Sequence, residues 1–136
     1  MRHQVFTESW AQAWAEELRT SDAYRTAATT WEGSIVLEMA GDAATARSVF
    51  VNLWHGECRD ARAASETDRE QADYLIRADS AIWKRVLAGD LEPIFGLMSG
   101  KLKLVRGSLA KLTPYMAASR ELVQAAARVE SAFPDD

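Results

Sequence analysis

His55, Glu57 and Cys58 follow one another in the order His-Gly-Glu-Cys. Side chains of these types ligate metals and move protons. A structural zinc site takes four ligands, usually as two spaced pairs, and the chain offers one loose cluster. The other histidine, His3, is remote in sequence, so no Ser-His-Asp arrangement can be assigned. Gly96, Gly100 and Lys101 have a superficial likeness to a phosphate-binding loop. The spacing is one residue short, and Leu102 stands where a Ser or Thr is required. The carboxylates of Glu16-Glu17, Asp68-Arg69-Glu70 and Asp135-Asp136 read as solvated faces. These residues therefore point to no catalytic group, no metal and no cofactor. The His-Gly-Glu-Cys cluster reads as a polar hairpin turn.

What remains is large and apolar: Trp31, Tyr74, Trp83, Phe95, Met98, Tyr115 and Met116. The chain has 136 residues and five tryptophans, and 48% of it is hydrophobic. That is enough for one domain with one core, over residues 1–136. The net charge of −4, with signs interspersed, argues against a nucleic-acid surface and against strong attraction to anionic headgroups. Cys58 has no partner for an internal disulfide, and no leader segment is visible. Both fit a reducing cytoplasm. No apolar run approaches the ~20 residues of a membrane span.

Periodicity supplies the elements that would position these side chains. Thr7 is a cap for a helix over about 8–20, with Trp10, Trp14 and Leu18 on one face. That face suits packing on the domain, and it would equally serve as a dimer contact. With an acidic polar face, it would make at most a transient membrane contact. Ser21 caps a second helix to about Thr30, with Tyr24 and Ala28 inward. Residues 31–40 read as a strand with Ile35, Leu37 and Met39 on one face. Gly41-Asp42 is a turn, and Ala46 to Trp54 is a second strand, apolar on both faces. Cys58 to Ala63 reads as a polar edge strand and Ser65 to Gln71 as a charged connection.

Tyr74 and Ile76 then alternate with Asp73 and Arg77, as a strand with one buried face requires. Asp79 or Ser80 caps a helix carrying Ile82, Trp83, Val86 and Leu87, and Gly89 suits its end. Pro93 opens a short helix with Ile94, Leu97 and Met98 as its stripe. Lys101 to Arg106 alternate again, with Leu102 and Leu104 inward. Ser108 caps a helix to Leu112, and Thr113-Pro114 breaks it before a long apolar side through Met116, Leu122, Val123, Ala126 and Val129.

The run Asp73, Trp83, Leu87-Ala88-Gly89-Asp90-Leu91-Glu92-Pro93, Met98-Ser99-Gly100-Lys101-Leu102-Lys103 and Gly107 resembles the second half of the sterol carrier protein type-two domain. That is a family of small lipid-binding proteins. The likeness extends by element order over roughly residues 8–130. Gly96 departs from the alanine often found there. One residue more than usual, Val105 or Arg106, precedes Gly107 and would form a bulge.

The five strands and several helices make an α+β fold. The resemblance implies a mixed, mostly antiparallel five-stranded sheet with helices chiefly on one face. It also implies an apolar tunnel between sheet and helices. The motif places Ile94, Met98, Leu102 and Leu104 beside the tunnel, and helix position adds Tyr115, Met116, Leu122 and Val123. Trp31, Ile35, Leu37, Tyr74, Ile76, Trp83, Leu87 and Phe95 complete the expected lining.

The implied function is non-enzymatic binding and transfer of one apolar lipid-like molecule: a fatty acid, acyl thioester, phospholipid or sterol-like compound. Release would need a helix to swing about Thr113-Pro114. The competing reading is an assembly module of the same fold with a closed cavity, acting through protein contacts.

Overall fold

The computed structural model describes residues 2–40 and 47–133. The turn at Gly41-Asp42, the strand start at Ala46 and the pair Asp135-Asp136 lie outside the described residues.

In chain order the elements are β1 (His3–Gln4), α1 (Glu8–Arg19), α2 (Asp22–Ala27), β2 (Glu32–Met39), β3 (Arg47–Trp54), β4 (Glu57–Ala63) and α3 (Glu66–Gln71). After these come β5 (Tyr74–Ala78), α4 (Ser80–Leu87), α5 (Pro93–Met98), β6 (Lys103–Arg106), α6 (Leu109–Leu112), a 3-10 turn (Thr113–Tyr115), α7 (Met116–Ala127) and β7 (Ser131–Ala132). Five strands form one sheet in the order β4-β3-β2-β5-β6. β2 and β5 are parallel, and the other neighbours are antiparallel.

Local chemistry explains the boundaries. Ser21 Oγ accepts from Tyr24 N at 3.1 Å and starts α2, which ends at Ala27, short of the expected Thr30. Asp79 Oδ1 accepts from Ile82 N at 2.9 Å and starts α4. Thr7 does not cap α1 through its side chain. Its hydroxyl donates backward to Gln4 O at 2.6 Å. At the C-terminal end of β6, Leu104 pairs with Ile76 and Arg106 with Leu75, which leaves Val105 as the extra residue of a bulge. Gly107 follows with φ of 114°, and a Cβ there would lie 2.3 Å from the Tyr74 ring. That position therefore needs a residue without a side chain.

The segment 65–71, expected to be a charged connection, is a helix. Ser65 Oγ accepts from Asp68 N, and Asp68 Oδ2 accepts from Ser65 N, each at 3.0 Å. This reciprocal cap satisfies two end groups and starts α3. The first residues, read as a loose lead-in, are also tied down. β1 pairs in parallel with β7, and Val5 and Phe6 are buried.

The sheet has two unlike faces. Ile35, Met39, Val49, Val51, Leu53 and Ile76 point into the main core, together with the buried sides of α1, α2, α4, α5 and α7. α7 packs against α1, α2, α4 and α5. On the other face Val36, Leu75 and Ala72 form a small cluster, with Phe50 and Ala64 against it. α3 adds a buried Asp68 on that side, and Glu38 is the buried acid of β2.

Candidate functional site

Between the main face of the sheet and the helices lies a cavity. Its volume is about 90 Å³, measured as space open to the centre of a water-sized sphere, and about 880 Å³ of atom-free space counting its mouth. The sheet supplies Ile35 and Leu37 from β2, Val51 and Leu53 from β3, and Ile76 from β5. Trp31 is part of the wall, tilted on Tyr74 at 5.3 Å and edge-on to Tyr115 at 4.9 Å. α4 contributes Trp83, Val86 and Leu87; α5 contributes Pro93, Ile94 and Leu97. Leu102, Leu112, Ala118, Ser119, Leu122, Val123 and Ala126 come from the C-terminal third.

Eleven of the sixteen expected residues line this cavity: Trp31, Ile35, Leu37, Ile76, Trp83, Leu87, Ile94, Leu102, Tyr115, Leu122 and Val123. Five lie elsewhere. Phe95 and Met98 are 59% and 63% exposed, because α5 turns Ile94 and Leu97 inward and these two outward. Leu104 and Met116 pack against the core outside the cavity wall. Tyr74 is buried under Gly107 and faces a second, polar recess with Ser34, Asn52, Asp73 and Lys111. Burial raises its phenol pKa, with the nearby Asp73 adding to the effect.

The wall also holds residues that the sequence reading had not placed there. Trp10 and Trp14, read as a face that packs on the domain or meets a partner, form part of it, and so do Phe6 and Tyr24. Phe6 has φ of 61°, a costly conformation for a bulky side chain. Its ring is held between Trp10 and Trp83, with centroids 5.2 Å away on each side. Gly96 is buried beside the cavity wall. A Cβ there would come 3.0 Å from Leu102 Cδ1, so Leu102 occupies the room an alanine methyl would need.

The wall's polar groups are almost all satisfied by the protein. Trp10 Nε1 donates to Ser131 Oγ, Trp14 Nε1 to Leu122 O, Trp31 Nε1 to Gly33 O and Trp83 Nε1 to Glu38 O. Tyr115 Oη donates to Thr30 O, and Ser119 Oγ donates to Met116 O. Tyr24 Oη is buried without a hydrogen-bond partner. Burial raises its pKa well above the ordinary value. The space thus suits an apolar guest and offers little to an ionic one.

His55, Glu57 and Cys58 do not converge. His55 Nε2 lies 2.6 Å from Glu32 Oε2, and its ring stacks on Trp54. The Cys58 thiol donates to Asp60 O, and burial pushes its pKa up to about 11, so little of it is thiolate at neutral pH.

The model of the SCP-2 sterol transfer family matches residues 14–119. A crystal structure of sterol carrier protein 2 is 44% identical, with a TM-score of 0.83 over 93% of this chain and 99% of that one. The solution structure of a conserved hypothetical protein from Thermus thermophilus is also 44% identical, with a TM-score of 0.85 over 97% and 94%. At 16% identity, the UbiJ-SCP2 ubiquinone synthesis protein shares the fold, with a TM-score of 0.56 over 84% and 88%. No curated protein matches.

Proposed function

The chain belongs to the SCP-2 sterol transfer family, whose fold binds lipids, and from that premise we propose that its cavity takes up one apolar lipid-like molecule without transforming it. The observation that carries this reading is the cavity wall, which is aromatic and aliphatic and whose polar groups are nearly all occupied by the protein. Each ligand methylene buried there would contribute about 0.8 kcal/mol, so a fatty acid, acyl thioester, phospholipid or sterol-like compound binds without catalytic machinery. Entry of a long chain requires the cavity to widen. The 3-10 turn at Thr113–Tyr115 joins α6 to α7 and is the hinge in this reading. No helix among the described residues is long and apolar enough to cross a membrane.

Native mass spectrometry of the purified protein, followed by denaturing lipid extraction, tests the proposal. The expected result is a reproducible added mass that extracts as a lipid. A bare protein mass, with no uptake from offered fatty acids, acyl thioesters and phospholipids, would overturn it in favour of an assembly module.

A further inference from the structure

One residue of the cavity wall, Tyr24, carries a polar group that stands apart. The four indole N–H groups, the Tyr115 hydroxyl and the Ser119 hydroxyl each donate to a protein acceptor. The Tyr24 hydroxyl has no partner, although the residue is only 1% exposed. Its neighbour Cys58 gives its thiol hydrogen to Asp60 O and makes no bond to the phenol. A buried donor left unpaired is unfavourable, and Phe would fill the same volume without that cost.

We propose that Tyr24 is the group by which the cavity selects its ligand, and that the ligand carries a hydrogen-bond acceptor (a carbonyl, ester, ether or carboxyl oxygen) on the part lying against α2. This rests on the lipid-binding reading and narrows it from any apolar molecule to one bearing an inward oxygen.

The test is displacement of the reporter N-phenyl-1-naphthylamine by nonane and by 2-nonanone, in the wild type and in Tyr24→Phe. The substitution weakens 2-nonanone about five- to tenfold and leaves nonane within about twofold. The melting temperature of unliganded Tyr24→Phe does not fall, because the hydroxyl it loses is unpaired. Equal effects on both compounds, or none on either, would overturn the role of Tyr24 while leaving the cavity intact. Failure of either compound to displace the reporter from the wild type, or of the reporter to bind, would overturn both readings.

A different observation marks the outer surface. From Pro93 to Arg120 there is no acidic residue, whereas Lys101, Lys103, Arg106, Lys111 and Arg120 are basic, in a chain of net charge −4. Phe95, Met98 and Val105 in this segment are three of the four exposed large apolar residues among those described. Phe95 and Met98 are one turn apart on α5 and share a face. The same segment supplies Pro93, Ile94 and Leu97 to the cavity wall. Exposed apolar side chains followed directly in the chain by the exposed Lys101 and Lys103 match an anionic bilayer, in which the ring and thioether insert while the ammonium groups meet headgroups. The net charge averages this patch away.

The geometry points to α5 and the neighbouring β6 as a face that docks on anionic membranes, next to the cavity. Flotation with phosphatidylcholine vesicles, with and without phosphatidylglycerol, tests it. Binding should require phosphatidylglycerol, weaken with salt, fall in Lys101→Glu/Lys103→Glu and be lost in Phe95→Asp/Met98→Asp. Uptake of a soluble fatty acid should stay unchanged in all variants, a readout that reports on the cavity separately. Absence of phosphatidylglycerol-dependent flotation, or flotation indifferent to these substitutions, would overturn it.

Discussion

The two faces of the central sheet are built from the same strands, yet they solve burial in opposite ways. On the helix-covered face, Ile35, Leu37, Val51, Leu53 and Ile76 meet aromatic rings that do not fill the space between them, and a cavity remains. On the other face Glu38 accepts from Arg69 of α3 and Arg77 of β5, while Arg62 bonds Asp68. That cover is a short helix fastened by charge, over a small apolar cluster of Val36, Ala72 and Leu75. The space on the helix-covered face is apolar, whereas the recess beside Ser34, Asn52 and Asp73 on the other face is polar and open to water. Alternation along β2 thus separates a cavity-lining face from a bracing face within eight residues.

Trp83 joins the two. Its ring walls the cavity and packs edge-on to Phe6, and its Nε1 donates to Glu38 O at 2.9 Å. Trp83→Ala should therefore produce the largest effect, a loss of about 3–5 kcal/mol in urea unfolding, from both a new void and the loss of a buried hydrogen bond. A loss below about 1 kcal/mol would show that the faces are not coupled through this residue.

Glu38→Gln sharpens the contrast on the bracing face. Burial acts to raise the Glu38 pKa, but the hydrogen bonds and charges of Arg69 and Arg77 outweigh it and hold it below its ordinary value of 4.5. A depressed carboxyl pKa contributes stability that is present above pH 4.5 and is lost as pH falls through the lower folded value. Glu38→Gln should cost about 1–2 kcal/mol at pH 7, since both arginines are partly solvated. It should also flatten the fall in stability below pH 4.5. Chemical denaturation at several pH values measures both, and cavity binding at pH 7 should stay within about twofold.

Met98→Trp is the smallest change expected. Met98 is 63% exposed and outside the cavity wall. Stability should move by less than about 0.5 kcal/mol, and affinity for a soluble cavity ligand should not change. A drop in that affinity would return Met98 to the lining.

These residues also show what the sequence could reveal. The strand of Tyr74 and Ile76, the cap at Asp79, the bulge before Gly107 and the five-stranded mixed sheet all rest on local periodicity or on the motif. α5 has six residues, too few for periodicity to fix which side faces inward. The expected inward stripe is Ile94, Leu97 and Met98; the helix turns Ile94 and Leu97 inward and leaves Met98 exposed. The Ser65–Asp68 cap was present in the sequence but was read as charge without structure. The burial of Phe6 depends on β1 pairing with residues 131–132, a contact at a separation no local pattern encodes. A void leaves no periodic trace at all, which is why Trp10 and Trp14 read as packing and not as wall.

The most direct measurement is reporter binding to Ala118→Phe. Ala118 is a small, buried residue of the cavity wall, so a phenyl ring there consumes the space without touching the bracing face. The account predicts a folded protein with the far-ultraviolet circular dichroism of the wild type and affinity for N-phenyl-1-naphthylamine reduced about tenfold or more. Unchanged affinity in a folded Ala118→Phe would contradict the claim that the guest lies between the sheet and the helices.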